Sequence, residues 1–200
     1  MSSKRGTTRS ARNKKPSKTL ADLVETIQDT NVDLERRVIY LFDEIESSSA
    51  KMTIQSLDFL NKSDGDIYLH INTPGGNWTD GMAIFSAIRM SKNKVHGLIL
   101  GDCSSMGSII LQACDKRIAT AEAEMCVHPG NSSSHADTVS FINRGKHEHR
   151  ILEKMYEIYW SRIPEEKQTS SYAKFKAKFA HDIYLTADDA LKYGFVDEIV

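Results

Sequence analysis

Two serines stand side by side in GDCSSMGSII, residues 101–110. A serine hydroxyl becomes a useful nucleophile when a base takes its proton, a third group orients that base, and N–H donors receive the oxyanion. Ser104 and Ser105 fall where the apolar run VHGLIL gives way to MGSIILQAC, a strand handing over to a buried helix. Backbone N–H groups at a helix start supply oxyanion donors, and the helix dipole adds to them. The position therefore suits a nucleophile. The G-x-S-x-G elbow does not match: centred on Ser105 it begins with Cys103, and centred on Ser104 it ends with Met106. Taken alone, S-S-M-G favours small residues that pack or cap the helix start.

Other reactive residue types point to little chemistry. Cys103, Cys114 and Cys126 are an odd number beside apolar residues, without C-x-x-C, and read as reduced core thiols of a reducing compartment. The seven histidines offer no zinc spacing. His147-Glu148-His149 is not H-E-x-x-H and reads as a polar helix face.

The elements that must position the serines alternate. TLADLVETIQ spaces Leu20, Leu23, Val24 and Ile27 as a helix. RVIYLF (37–42) reads as a strand, AKMTIQSLDFLN (50–61) as a helix, and DIYLHI (66–71) as a strand closed by NTPGGN. A helix is expected from about Thr79 to Ser91, then a strand over 95–100, then the serines. RIATA and EMCV read as short strands, and residues 137–163 as one long helix with a possible kink at Gly145. Pro164 suits the first turn of a further helix. Thr186 with Asp189 makes an N-cap and N3 acid, Gly194 suits a helix C′, and FVDEIV reads as a final strand. Repeated strand–helix pairs argue an α/β domain with a largely parallel core.

Composition narrows the function class. Residues 1–18 carry seven bases and no acid, with almost no apolar residue, and read as a basic disordered tail or removable pro-segment before a domain at 19–200. The segment has no hydrophobic h-region, so it is not a secretory signal; its Arg and Ser bias resembles a transit peptide but lacks an apolar face. Without those seven, 19 Lys and Arg face 27 Asp and Glu, leaving the body at −8. Such a body disfavours nucleic acid as a partner. No apolar run approaches the ~18 residues of a membrane span.

Four stretches occur in order: DIYLHINTPGGNWTDGMAIFSAI, GDCSSMGSIILQA, CVHPG and HDIYLTADDALKYGFVDEIV. Together with ERRVIYLFDEI they resemble the Clp protease proteolytic subunit (ClpP) family, serine peptidases on a crotonase-like fold, over about residues 33–200. The family shows I-N-S-P-G-G, A-S-M-G, His-Gln-Pro and D-x-F-L-S-x-x-E-A-x-x-Y-G-x-V-D in the same order.

The resemblance implies repeated ββα units with a protruding helical handle, placed at about 137–163. Its nucleophile directly precedes Met-Gly, which selects Ser105; Ser104 falls where the family often has alanine. His128 matches the general base and Asp182 the acid that orients it. Gly76 and Met106 match the positions whose backbone N–H groups form the oxyanion hole. No metal or cofactor is implied, and the chain lacks G-x-x-x-x-G-K-[ST], so ATP use would lie in a partner. The implied activity is ATP-independent cleavage of unfolded polypeptides in a homo-oligomeric ring, a heptamer or double heptamer, fed by a AAA+ unfoldase, with a cytoplasmic location or an organellar one if residues 1–18 are a transit segment.

Three departures bear on this. After His128 comes PGNSSSHAD instead of Gln-Pro and a glycine-containing strand that pairs with substrate. Ile183 follows Asp182 where members often carry an Arg that links ring to ring. The family's axial pore loops correspond to the basic tail. Alternatives are a phage-type head-maturation protease of the same fold, an inactive ring subunit, or a crotonase-like acyl-CoA binding protein; the last two have no need of all three triad residues. A signal-peptide-peptidase relative would use Ser with Lys.

Overall fold

Five parallel strands carry the centre of the sheet. In this computed structural model, which describes residues 19–131, 137–168 and 170–200, the strands are β1 Val32–Asp33, β2 Val38–Phe42, β3 Ile67–Thr73, β4 Val95–Ser104, β5 Lys116–Ala119, β6 Glu124–Val127, β7 Ile183–Thr186 and β8 Glu198–Ile199. The basic segment 1–18 lies outside the described residues. The order is β1-β2-β3-β4-β5-β8, parallel from β2 to β8 and antiparallel only at β1. Parallel neighbours need crossovers. The helices α2 (Ser47–Leu60), α3 (Trp78–Arg89) and α4 (Met106–Leu111) provide three of them. The expected α/β core is thus present. No helix among the described residues is long and apolar enough to cross a membrane.

Strand β4 does two jobs because it bulges. Its register with β3 runs from Ile67↔Val95 to Ile71↔Ile99 and then slips to Thr73↔Cys103. Gly101 sits in the slip, where a Cβ would lie 2.6 Å from Asn72 Oδ1. That oxygen accepts from the Asp102 N–H at 2.9 Å. A bulge bends its strand and changes what it can pair with. Before the bulge β4 pairs with β5; beyond it, Asp102, Cys103 and Ser104 pair with β6. Strand β7 then runs antiparallel to β6.

Helix starts follow side-chain caps. Asn77 accepts from the N–H groups of Thr79 and Asp80, so α3 begins at Trp78. Asp137 accepts from Val139 and Ser140 and opens α5 (Thr138–Arg162). Thr186 accepts from the Asp189 N–H, and Gly194 at φ 78° ends α7 (Ala187–Tyr193), as the sequence led one to expect. Helix α1 is Leu20–Thr30.

Several expectations shift. Helix α2 starts at Ser47, not residue 50, because Glu46 and Ser49 form a reciprocal cap. Helix α5 runs unbroken through Gly145. Pro164 precedes a single 3-10 turn, Glu165–Lys167, in place of an α-helix. The last strand is only Glu198–Ile199, because Phe195 and Val196 are buried as core before the pairing with β5 begins. Strands β1 and β7 and helix α6 (Tyr172–Lys178) had no periodic signal of their own.

One ion pair, buried on the arginine side and open to solvent on the carboxylate side, ties the end of the chain to the centre. Arg117 is 2% exposed. Its guanidinium donates to both carboxylate oxygens of Asp197 and, at 2.6 Å, to Gln112 Oε1. Gln112 Nε2 in turn donates to the carbonyls of Ser108 and Phe195. Burial alone would raise the Asp197 carboxyl, but the hydrogen bonds and charge of Arg117 outweigh it and hold the group below the usual carboxylate range. A carboxyl depressed in the folded state stabilises the fold above its unfolded pKa, and that stability is lost as pH falls through the folded value. Asp197→Asn should cost about 2 kcal/mol near neutral pH, since it leaves a buried guanidinium without its charge partner, a loss that solvent at the exposed carboxylate partly screens. In thermal unfolding, the gap between wild type and variant should narrow as pH falls below the ordinary carboxylate range; a gap that stays constant with pH would contradict the assignment.

Candidate active site

Ser105 is the pivot between β4 and α4. Its backbone sits at φ 53°, ψ −122°, a conformation that costs a residue with a Cβ about 1–3 kcal/mol. Neighbours hold it there. The Ser105 N–H donates to Cys126 O at 2.8 Å, and the Ser108 N–H donates to Ser105 O at 3.1 Å. Ser108 Oγ donates to the same carbonyl at 2.6 Å and meets the Tyr159 hydroxyl at 2.6 Å. Burial pushes the Tyr159 phenol above its ordinary range, against a smaller lowering by the Ser108 bond, so it stays neutral.

A double glycine closes the pivot from the other side. Gly75, at φ 96°, lies so near that a Cβ would stand 2.5 Å from Ser105 Cβ and 2.9 Å from Met106 N. Gly76, at φ 147°, runs along Ile45, whose carbonyl oxygen would be 2.3 Å from a Cβ there. Ile45 N–H donates to Gly75 O at 2.7 Å and Asn77 N–H donates to Ile45 O at 2.8 Å. This leaves the Gly76 and Met106 N–H groups without an acceptor among the described residues. The Met106 side chain is core, packed on Gly81.

Ser105, Met106, Gly76 and His128 line one open cleft of about 1380 Å³. Asp182 is not on its wall. It directly precedes β7, and because Val127 pairs with Ile183, the antiparallel register carries Asp182 toward His128. Its charge reaches Cys126, whose thiol is raised first by burial and then by Asp182. His128 Nδ1 accepts the Gly130 N–H at 3.0 Å. Among the described residues no hydrogen bond joins Ser105 to His128 or His128 to Asp182. Ser104 donates its hydroxyl to Asp102, away from the pivot.

The cysteines near the pivot are no rivals as nucleophiles, because the reactive form is the thiolate. Burial raises Cys103 well above its ordinary value, and raises Cys114 to about 12. All three cysteines are free and buried.

The far wall of the cleft is one face of α5. Arg144, Glu148, Ile151, Leu152 and Met155 recur at three- and four-residue intervals and all line it, as do His147 and His149. The stretch read as a polar helix face therefore fronts the cleft, and its spacing from Arg144 to Met155 was the available signal. The glycine before Gly76 was also overlooked, although P-G-G presents both. The Ser108–Tyr159 link joins residues 51 apart in sequence and had no local signal.

The Clp protease family model matches residues 23–200. The chain belongs to the Clp protease family. It is a serine peptidase of the ClpP type, and its mixed α/β sheet with crossover helices is the ClpP-type fold. The match begins inside α1, so most of the first helix, which the sequence motifs left outside, is part of the Clp protease domain. Helix α5 lies within the matched residues. Its second half is core, with Met155, Tyr156, Ile158 and Tyr159 buried, while Val139, Phe141 and Ile142 at its start are exposed.

Gly75→Ala should force the pivot apart and slow covalent labelling of Ser105 by a fluorophosphonate at least ~10-fold. Gly145→Ala, in mid-helix with nothing within 4 Å of its Cβ position, should leave labelling unchanged and raise stability by up to about 1 kcal/mol. Equal labelling rates in both variants would contradict the role given to Gly75.

Proposed function

We propose that Ser105, His128 and Asp182 act as nucleophile, general base and orienting acid of an ATP-independent endopeptidase, with the N–H groups of Gly76 and Met106 as its oxyanion hole. The observation that carries this reading is the strained Ser105 pivot, opening beside two unclaimed N–H groups into the cleft that also holds His128. His128 Nε2 takes the Ser105 proton as Oγ attacks the scissile carbonyl, and the two N–H groups receive the oxyanion. The imidazolium then returns the proton to the leaving amine, and water attacks the acyl-enzyme by the same route.

This chemistry requires a hydrogen on Nδ1, held by Asp182, and a free Nε2. A nitrogen that accepts from Gly130 carries no hydrogen, so the resting tautomer is the other one. A small rotation of the ring away from Gly130 precedes catalysis in this proposal. The substrate is unfolded polypeptide, in a homo-oligomeric ring, heptameric or doubly heptameric, supplied by a AAA+ unfoldase. PGNSSSHAD, where the resemblance puts the substrate-pairing strand, includes residues 132–136, outside the described set.

Fluorophosphonate labelling with peptide mapping tests the roles. Ser105→Ala should abolish labelling. His128→Ala should slow it by ~10³-fold or more, and Asp182→Asn should also be strongly impaired. Ser104→Ala should label like wild type; a label on Ser104 would sink the assignment. Nitrogen-15 NMR of histidine should report hydrogen on Nε2 in the resting protein and on Nδ1 after Ser105 is capped. Native mass measurement should give rings; a monomer or dimer would contradict the chamber.

A further inference from the structure

Arg117 is buried and has its charge matched, whereas the half-buried Arg162 does not. Arg117 meets both Asp197 oxygens and Gln112 Oε1. Arg162, at the end of α5, is half-buried and has one acceptor, Cys114 O, at 2.8 Å from Nη2. Its Nε is buried with no partner, and Nη1 has no acceptor among the described residues either. Burial first, and then the charge of Arg117, push the Arg162 cation toward deprotonation; Arg89 adds to this, and Asp197 offsets it in part. Asp197, though, is already engaged by Arg117.

Arg162 lines a cavity of about 530 Å³ between α3, the end of α4 and the second half of α5. Arg89 and Lys154 line it as well, with Gln112 behind them. The single carboxylate on the wall, Glu157, lies 3.7 Å from Lys154. Three cations against one acid leave two positive charges in surplus. Arg89 has no ion pair among the described residues. A partly desolvated guanidinium with unmet donors is unfavourable without an anion. Its planar fork fits the paired oxygens of a carboxylate or phosphate.

We infer that this cavity is an oxyanion-binding site, in which Arg162 and Arg89 hold a carboxylate or phosphate group. The inference stands apart from the peptidase reading, because none of these residues lines the cleft of Ser105. The oxyanion can be a free ion or an Asp or Glu carboxylate of a second copy of this chain; the chemistry at Arg162 is the same.

The test titrates inorganic phosphate into the full chain at constant ionic strength, following thermal unfolding and native mass in wild type, Arg162→Gln and Arg89→Gln. For a free oxyanion, phosphate should raise the wild-type Tm saturably. Half-saturation should shift ~10-fold or more in Arg162→Gln and ~3-fold or more in Arg89→Gln. For a neighbour's carboxylate, phosphate should leave Tm unchanged while both variants dissociate at higher protein concentration than wild type. Arg89 is exposed, so its variant answers even if Arg162→Gln fails to fold. Ser105 labelling should be unaffected in Arg89→Gln. Equal phosphate response in all three proteins, or no change in either response or assembly, overturns the proposal.

Discussion

The approach of Gly75 to Ser105 is the contact on which the rest of the site depends. A serine held at φ 53° is strained, and a chain keeps such a residue only when its surroundings over-determine it. Here they do. The β4 bulge delivers Ser105 to β6, where its N–H finds Cys126 O. The double glycine then closes over the pivot at a distance no side chain permits. Both oxyanion donors proposed above are by-products of this packing: each belongs to a residue whose N–H the tight turn has left unused.

Helix α4 makes the arrangement rigid. It has six residues, all buried, and is too short to be stable alone. It is clamped at both ends. Ser108 anchors its start to the pivot carbonyl and to Tyr159 of α5. Gln112 anchors its end to Arg117, and through Arg117 to Asp197 near the C-terminus. The turn at Ser105, helix α5 and residues near the C-terminus are thus one hydrogen-bonded unit. Such buried polar networks specify a single arrangement when every member is satisfied. Arg162 lies beside that unit and outside it, bonded to Cys114 O with its Nε left without a partner.

Much of this was legible in the residues, and the illegible part has physical causes. The alternation of β3, with Ile67, Leu69 and Ile71 fully buried and Tyr68 exposed, gave the strand directly. Thr186 and Gly194 marked the ends of α7 through local cap chemistry. Ser105 could not be told from Ser104 by composition; it took the ordered motifs of the Clp protease family to separate them. The bulge at Gly101, the Ser108–Tyr159 bond and the Arg117–Asp197 pair join residues distant in sequence, so no local pattern announces them. Short strands such as β1, two residues long, exist only because a neighbour pairs with them. The Gly130 N–H bond to His128 Nδ1 spans only two residues, but the motif around His128 says nothing of it.

The central claim is that the Ser105 pivot and the double glycine together form an oxyanion site served by His128. A crystal structure of the protein with a peptidyl phosphonate bonded to Ser105 tests it most directly. The account predicts the phosphonyl oxygen within about 3 Å of both the Gly76 and Met106 nitrogens, and His128 turned from Gly130 toward Asp182. An adduct whose oxygen faces solvent, or a His128 still bonded to Gly130, would contradict it.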